Sequence, residues 1–191
     1  MVKTQERTLK TRARLMDAAS EIVGEVGYAA LRVEEIVRRA GVAKGTFFAH
    51  FADKEALMDI MIGAEIDAEL DRIASLPAPA GIDDLVTHLM PGLRLMTRER
   101  YVFDVILRHS GAAAKDDIGP IAMTFWRADQ VVAGWIEGGP FRKDVSPMML
   151  SNGVQAFAMQ VMALHFCALH AEGSMQERLA EYLEAWLLPK T

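Results

Sequence analysis

Apolar residues recur along this chain at intervals of three and four, and nowhere alternate at the interval of two that marks a half-buried strand. From about Lys10 to Val26, the face Leu15, Ala19, Ile22 and Val26 predicts a first helix, ended by Gly27 as a left-handed cap. A short second helix is expected over about 33–40, with Val33, Ile36, Val37 and Ala40 inward, Arg38 and Arg39 outward, and Gly41 as its stop. The third covers about 44–50. Asp53 is a good N-cap for a fourth running to about Ala74, with Leu57, Ile60, Met61, Ala64 and Ala68 as its apolar face. The stretch Pro77-Ala-Pro-Ala-Gly81 reads as a turn or linker. A fifth helix starts near Ile82 and is expected to kink or split at Pro91. A sixth fills about 99–110, and Gly119-Pro120 opens a seventh that Gly138-Gly139-Pro140 closes. Ser146-Pro147 starts the eighth, which Gly173 is expected to end. Ser174 and Glu177 form the capping box of a ninth.

The predicted fold class is therefore all-α, and 191 residues suffice for a sizeable core in one large or two small units. The net charge of −5 argues by itself against a nucleic-acid partner, but its distribution changes that picture. Residues 1–55 hold 10 Lys and Arg against 8 Asp and Glu, whereas residues 56–191 hold 11 against 18. A basic front on an acidic body suits a small DNA-binding part attached to a part that DNA would repel. One cysteine, Cys167, excludes an internal disulfide and fits a reducing cytoplasm. Neither cysteine nor the five histidines supply a metal-ligand cluster, and no cofactor is expected. The charged N-terminus does not read as a signal peptide. The longest near-apolar run, Val154 to Leu169, carries Gln155, Gln160 and His165 and reads as a buried helix rather than a membrane span.

The segment Ala40 to Leu57, AGVAKGTFFAHFADKEAL, carries the most specific chemistry. Gly41 can take the positive φ of a tight turn between two helices. Phe47 and Phe51, four apart, anchor the next helix in the core and leave Lys44, Thr46, Ala49 and His50 largely outward. Small Gly45 and Ala49 allow close approach to a groove. This is how a helix-turn-helix presents a recognition helix to DNA. The stretch from about Arg12 to Met61 resembles the DNA-binding domain of the tetracycline-repressor (TetR) family of bacterial transcription regulators. The resemblance rests on Ala18-Ala19, Gly27-Tyr28, Val33 with Ile36, and Ala40-Gly41-Val42. Gly45-Thr46-Phe47, His50-Phe51 and Lys54-Glu55 with Leu57 complete it.

The resemblance implies a helix-turn-helix domain over 1–55 and a helical effector-binding and dimerisation domain over 56–191. It implies a homodimer on double-stranded palindromic operator DNA, released by a small-molecule effector. It places Lys44, Gly45, Thr46, Phe48 and His50 at the DNA, Lys54 on a phosphate, and Arg32 where the family has a capping Thr or Ser. Three residues depart from the family pattern. Ala43 replaces a capping Ser, removing a cap of roughly 1 kcal/mol. Phe48 replaces Tyr, and Arg32 puts a long cation where a hydroxyl is usual.

The body carries no nucleophile elbow, phosphate loop or dinucleotide fingerprint. Cys167 lies near His165 and His170, but a spacing of two puts side chains on different helical faces. The eighth helix is apolar nearly all round, with one stripe Leu150, Val154, Phe157, Val161, Leu164 and Ala168 and another Gln155, Met159, Met162 and Phe166. Leu179, Tyr182, Leu183, Trp186 and Leu187 follow on the ninth. Such surface must be covered on both sides. The resemblance implies a four-helix dimer interface, with Val154, Phe157, Val161, Leu164, Ala168, Leu179, Tyr182 and Trp186 as candidates. Twelve methionines suit either adaptable core filling or a pocket for apolar ligands. The pocket candidates are Met90, Met96, Phe103, Phe125, Trp126, Met159 and Met162, with His88, Arg94, His109 and Gln155 for polar contacts. The expected role is a ligand-responsive repressor with a mostly apolar effector. The alternatives are a DNA-binding regulator controlled by a protein partner, and a helical enzyme or carrier with a vestigial DNA-binding part.

Overall fold

The computed structural model describes residues 2–111, 118–167 and 173–189. These form α1 (Val2–Val26), α2 (Val33–Ala40), α3 (Lys44–Phe48), α4 (Lys54–Ala74), α5 (Ile82–Met96), α6 (Arg100–His109), α7 (Pro120–Gly138), α8 (Pro147–His165) and α9 (Met175–Leu187), with no strand among the described residues.

The local signals act where the sequence placed them. Asp53 accepts a hydrogen bond from the Ala56 amide at 2.7 Å, and Ser146 accepts one from Met149 at 3.3 Å. Ser174 and Glu177 cap each other's amides reciprocally. Five details differ from expectation. The helix α1 starts at Val2, because the polar run before Lys10 consists largely of residues that tolerate a helix without needing burial. Val26 at its end is exposed rather than inward. In α4 the residues Ala64 and Ala68 face solvent, and the buried set is Leu57, Met58, Met61, Ile62, Ile66, Leu70 and Ile73. This helix is packed on more than one side, so its apolar stripe is wider than one face. Pro91 sits on the exposed side of α5, which runs through it as one helix. The helix α8 ends at His165, ahead of Gly173.

Two apolar clusters hold the molecule. The first joins α1, α2 and α3 to the N-terminal half of α4, to α6 and to the start of α7 through residues such as Leu15, Tyr28, Phe47, Met58 and Ile106. The second joins the rest of α4 to α5, α7, α8 and α9 through Leu70, Leu85, Ile136, Leu150, Val161 and Leu183. Met96 and Met159 pack against both. Where α4 crosses the start of α7, a glycine on each side lets the two approach closely. A Cβ on Gly63 would lie 2.7 Å from Pro120 Cβ, and one on Gly119 would lie 1.9 Å from Asp59 Oδ2. That approach lets buried Asp59 accept the Ile121 amide at 3.1 Å, capping α7 from a neighbouring helix.

Candidate nucleic-acid interface and effector cavity

The turn between α2 and α3 closes on Gly41, whose φ of 61° is left-handed, and on the Val42 amide, which donates to Val37 O at 3.0 Å. Phe47 and Phe51 are buried with ring centroids 5.3 Å apart. The Arg12 guanidinium covers Phe51 at 4.5 Å and donates to the His50 carbonyl at 2.9 Å, while Arg14 donates to the Ala40 carbonyl. The helix α1 therefore clamps both ends of the turn and fixes the direction of α3.

What α3 turns outward is Lys44, Gly45 and Phe48, all exposed, with Thr46 and His50 half-buried beside them. A Cβ on Gly45 would meet nothing within 4 Å, so the chain's own packing does not require glycine there. Lys44 Nζ pairs with Glu34 at 2.6 Å, and this hydrogen bond holds the Glu34 carboxyl below its ordinary range. Arg32 occupies the N-cap position of α2, exposed and making no cap bond, and Ala43 likewise leaves α3 without a side-chain cap. Lys54 Nζ lies 3.3 Å from the Leu31 carbonyl and 5.0 Å above the Tyr101 ring. An ammonium has three donors, so this anchorage leaves it able to bond further.

The sequence reading missed a contribution from α1. Arg7, Lys10, Thr11 and Arg14 flank a concavity of about 510 Å³ whose other wall is Ala43, Thr46 and His50. The signal was available, since those four residues recur at helical spacing on one face of α1. Arg38 and Arg39 do not join this surface. Arg38 is tied to Glu35 within α2, and Arg39 to Glu25 of α1, Nη1 to Oε1 at 2.6 Å, which joins the two helices.

Residues 15–60 match the family model described as bacterial regulatory proteins, tetR family. The chain carries the DNA-binding domain of the TetR family. It is 42% identical over 53 residues to the A-factor receptor protein of Streptomyces griseus, covering 28% of this chain and 19% of that protein. It is 36% identical over 72 residues to the HTH-type transcriptional repressor KstR of Mycolicibacterium smegmatis, covering 36% of this chain and 35% of the relative. The matches thus span well under two thirds of these relatives. The fold as a whole resembles the crystal structure of Thermus thermophilus FadR, a TetR-family transcriptional repressor in complex with lauroyl-CoA. The TM-score is 0.64 at 21% identity, over 94% of this chain and 97% of that one. Such a likeness establishes a shared fold.

Behind the TetR-family domain, α4, α5, α7 and α8 enclose a narrow slot of about 110 Å³. Met96, Phe125, Gln155 and Met162 line it, as the sequence reading expected of pocket residues, together with Leu70, Leu93 and Asp129. Phe125, Asp129 and Gln155 also line a wider concavity of about 650 Å³ with His109 and Trp126. The other candidates lie elsewhere. Met90 and Arg94 border a separate cavity between α5 and the α8–α9 connection, because α5 turns that face away from the slot. His88 pins the Pro77 and Asp84 carbonyls at 3.2 and 2.6 Å and packs edge-on against Trp135. Phe103 is core, stacked on Phe166 at 5.7 Å. Met159 fills the seam between the two apolar clusters. His109 faces Asp59, Nδ1 to Oδ2 at 3.3 Å.

The interface candidates also divide. Val154, Val161 and Leu179 are buried in the chain's own core, since α7 and α5 cover the stripes that looked unpartnered. Phe157, Tyr182 and Trp186 form a half-buried aromatic cluster at the α8–α9 seam, and Trp186 Nε1 donates to the Leu150 carbonyl at 3.0 Å. Leu164 is half-buried, and Ala168 lies outside the described residues. The outward stripe of α8 is Met149, Asn152, Ala156, Gln160 and Ala163.

Proposed function

We propose that the protein is a ligand-responsive transcriptional repressor, not an enzyme, that acts in the cytoplasm as a homodimer on operator DNA. The observation that carries this reading is the outward face of α3 flanked by the basic wall of α1, which the chain's own packing leaves uncovered. Residues 1–55 would read DNA and the remainder would bind effector and partner. Lys44, Thr46 and Phe48 face the groove in this reading. Arg32, His50 and Lys54, with Arg7 and Lys10, supply backbone contacts. The partner copy would cover the outward stripe of α8 and the seam with α9.

The slot among α4, α5, α7 and α8 is smaller than the roughly 300–1,000 Å³ of an ordinary ligand site. An effector entering it must part α4 from α7 and α8. The same α4 begins at Lys54, so displacement reaches the DNA face directly. An effector needs to favour the displaced geometry by only a few kcal/mol to empty the operator. No described helix is long and apolar enough to cross a membrane.

The test is a binding selection from fragments of the source genome, followed by gel shift on the fragment recovered. Specific binding should fall steeply with salt, and Lys54→Ala should weaken it across sequences while reducing the salt slope by about one. Lys44→Ala and Thr46→Ala should change base preference. Parent-like binding by all three variants would dismiss α3 as the reading element.

A further inference from the structure

We infer that the effector is a lipophilic cation, its apolar part among α4, α5, α7 and α8 and its positive head beside Asp129. The inference rests on the effector reading above and adds the charge of the ligand. Among the described residues that line the slot, the charged side chains are Glu69 and Asp129, and neither Lys nor Arg is present. Glu69 is already neutralised by Arg72, with Nη2 to Oε1 at 2.7 Å. Asp129 makes no ion pair among the described residues. Its oxygens are held by neutral donors: Ser151 Oγ at 3.3 Å and, with the Gln155 amide turned to face it, Nε2 at 2.8 Å. These bonds orient the carboxylate without cancelling its charge.

Asp129 lines both the slot and the wider concavity, so one group borders both spaces. Phe125 is shared in the same way, and the Trp126 ring stands exposed in the wider part. A carboxylate on the wall of an apolar slot, with Phe125 and Trp126 beside it on the wider side, is a setting that favours an ammonium or amidinium over an anion. Arg108, which also lines the wide concavity, is engaged with Glu55 at 3.2 Å, and His109 there faces Asp59 at 3.3 Å. Burial already pushes the Asp129 carboxyl above its ordinary range, against the Ser151 hydrogen bond, and an incoming cation relieves that cost. An acyl thioester of the kind in the FadR complex would bring negative charge instead.

Three ligands with one eight-carbon chain separate the terms: octyltrimethylammonium, 1-octanol and octanoate, titrated calorimetrically into the full-length protein below their micellar concentrations. The expected order is ammonium, then alcohol, then carboxylate, with the first two separated roughly tenfold or more. Asp129→Asn should bring the ammonium down to the affinity of the alcohol without changing the alcohol, and Asp129→Glu should restore the preference. Octanoate binding as tightly as the ammonium, or an ammonium no tighter than the alcohol, overturns the inference. The ranking in the parent protein decides this even if the Asn variant folds poorly. If the alcohol binds without an ammonium preference, the charge inference alone fails. If none of the three binds, the effector cavity fails with it.

Discussion

Asp59 offers the sharpest single test of how α4 is held to α6 and α7. It is a carboxylate only 6% exposed, on the second turn of α4, and it serves two other elements. One oxygen accepts the Ile121 amide in the first turn of α7, and the other faces His109 Nδ1 at the end of α6. Asp59→Ala removes a helix cap, costing about 1 kcal/mol, and leaves a buried amide and an imidazole without this partner, at about 1–3 kcal/mol more. The expected loss is about 2–4 kcal/mol, or a fall in melting temperature of about 5–15 °C for a chain of this size. Asp59→Asn keeps an oxygen for the amide and loses only the charge, so about 1 kcal/mol is expected. Gly119→Ala reaches the same lesion from the other side by driving a methyl into the carboxylate. Urea unfolding of the three variants, followed by circular dichroism, gives the order directly. An Asp59→Ala variant within about 0.5 kcal/mol of the parent, a value typical of surface substitutions, would show that this junction bears no stability.

Three further outcomes are expected. Ala156→Asp and Ala163→Asp, both on the outward stripe of α8, should sediment as monomers while retaining helical content, whereas Val161→Asp should unfold the chain. A parent protein that is monomeric at micromolar concentration refutes the interface. Asp129→Asn should melt higher than the parent at neutral pH. The folded carboxyl is raised, so its ionisation destabilises the fold as pH climbs through the folded value, and the advantage should vanish below the ordinary carboxylate range. An unchanged difference across that titration would assign the effect to packing. Glu34→Gln should release Lys44 and tighten non-specific DNA binding several-fold at low salt, and a gel shift indistinguishable from the parent would mean the pair dissolves before DNA arrives.

The helices and most of their ends could be read from the sequence because each signal is local. Asp53, Ser146 and the Ser174–Glu177 box act within four residues of themselves, and Phe47 with Phe51 needs only helical spacing. The outward residues of α3 could be read for the same reason, helped by a family pattern confined to one short stretch. Less legible was which face of a body helix meets which neighbour. Val154, Val161 and Leu179 looked unpartnered because periodicity shows that a face is apolar, not whether α5, α7 or a second copy covers it. Arg94 and His88 were chosen as polar groups near apolar ones, but their direction depends on how α5 is turned about its axis. Asp129 was passed over because a lone acidic residue in a helix normally faces water. Gly119 read as a helix start, and its real constraint comes from a residue sixty positions earlier.

The bare crossing of α4 over α7 has a mechanical consequence. With Gly63 against Pro120 and Gly119 against the Asp59 carboxylate, the two helices meet through a glycine on each side, with little side-chain bulk to yield between them. A helix resting on such a point would rotate about it more readily than slide, which would make Gly63 a fulcrum. At 1.5 Å per residue, Leu70 on the slot lies about 10 Å along one arm and Lys54 about 13 Å along the other. A wedge that lifts the slot end by about 1 Å swings the DNA end by slightly more, in the opposite direction. The lever ratio is fixed by where the glycine falls in the helix, whatever molecule supplies the force.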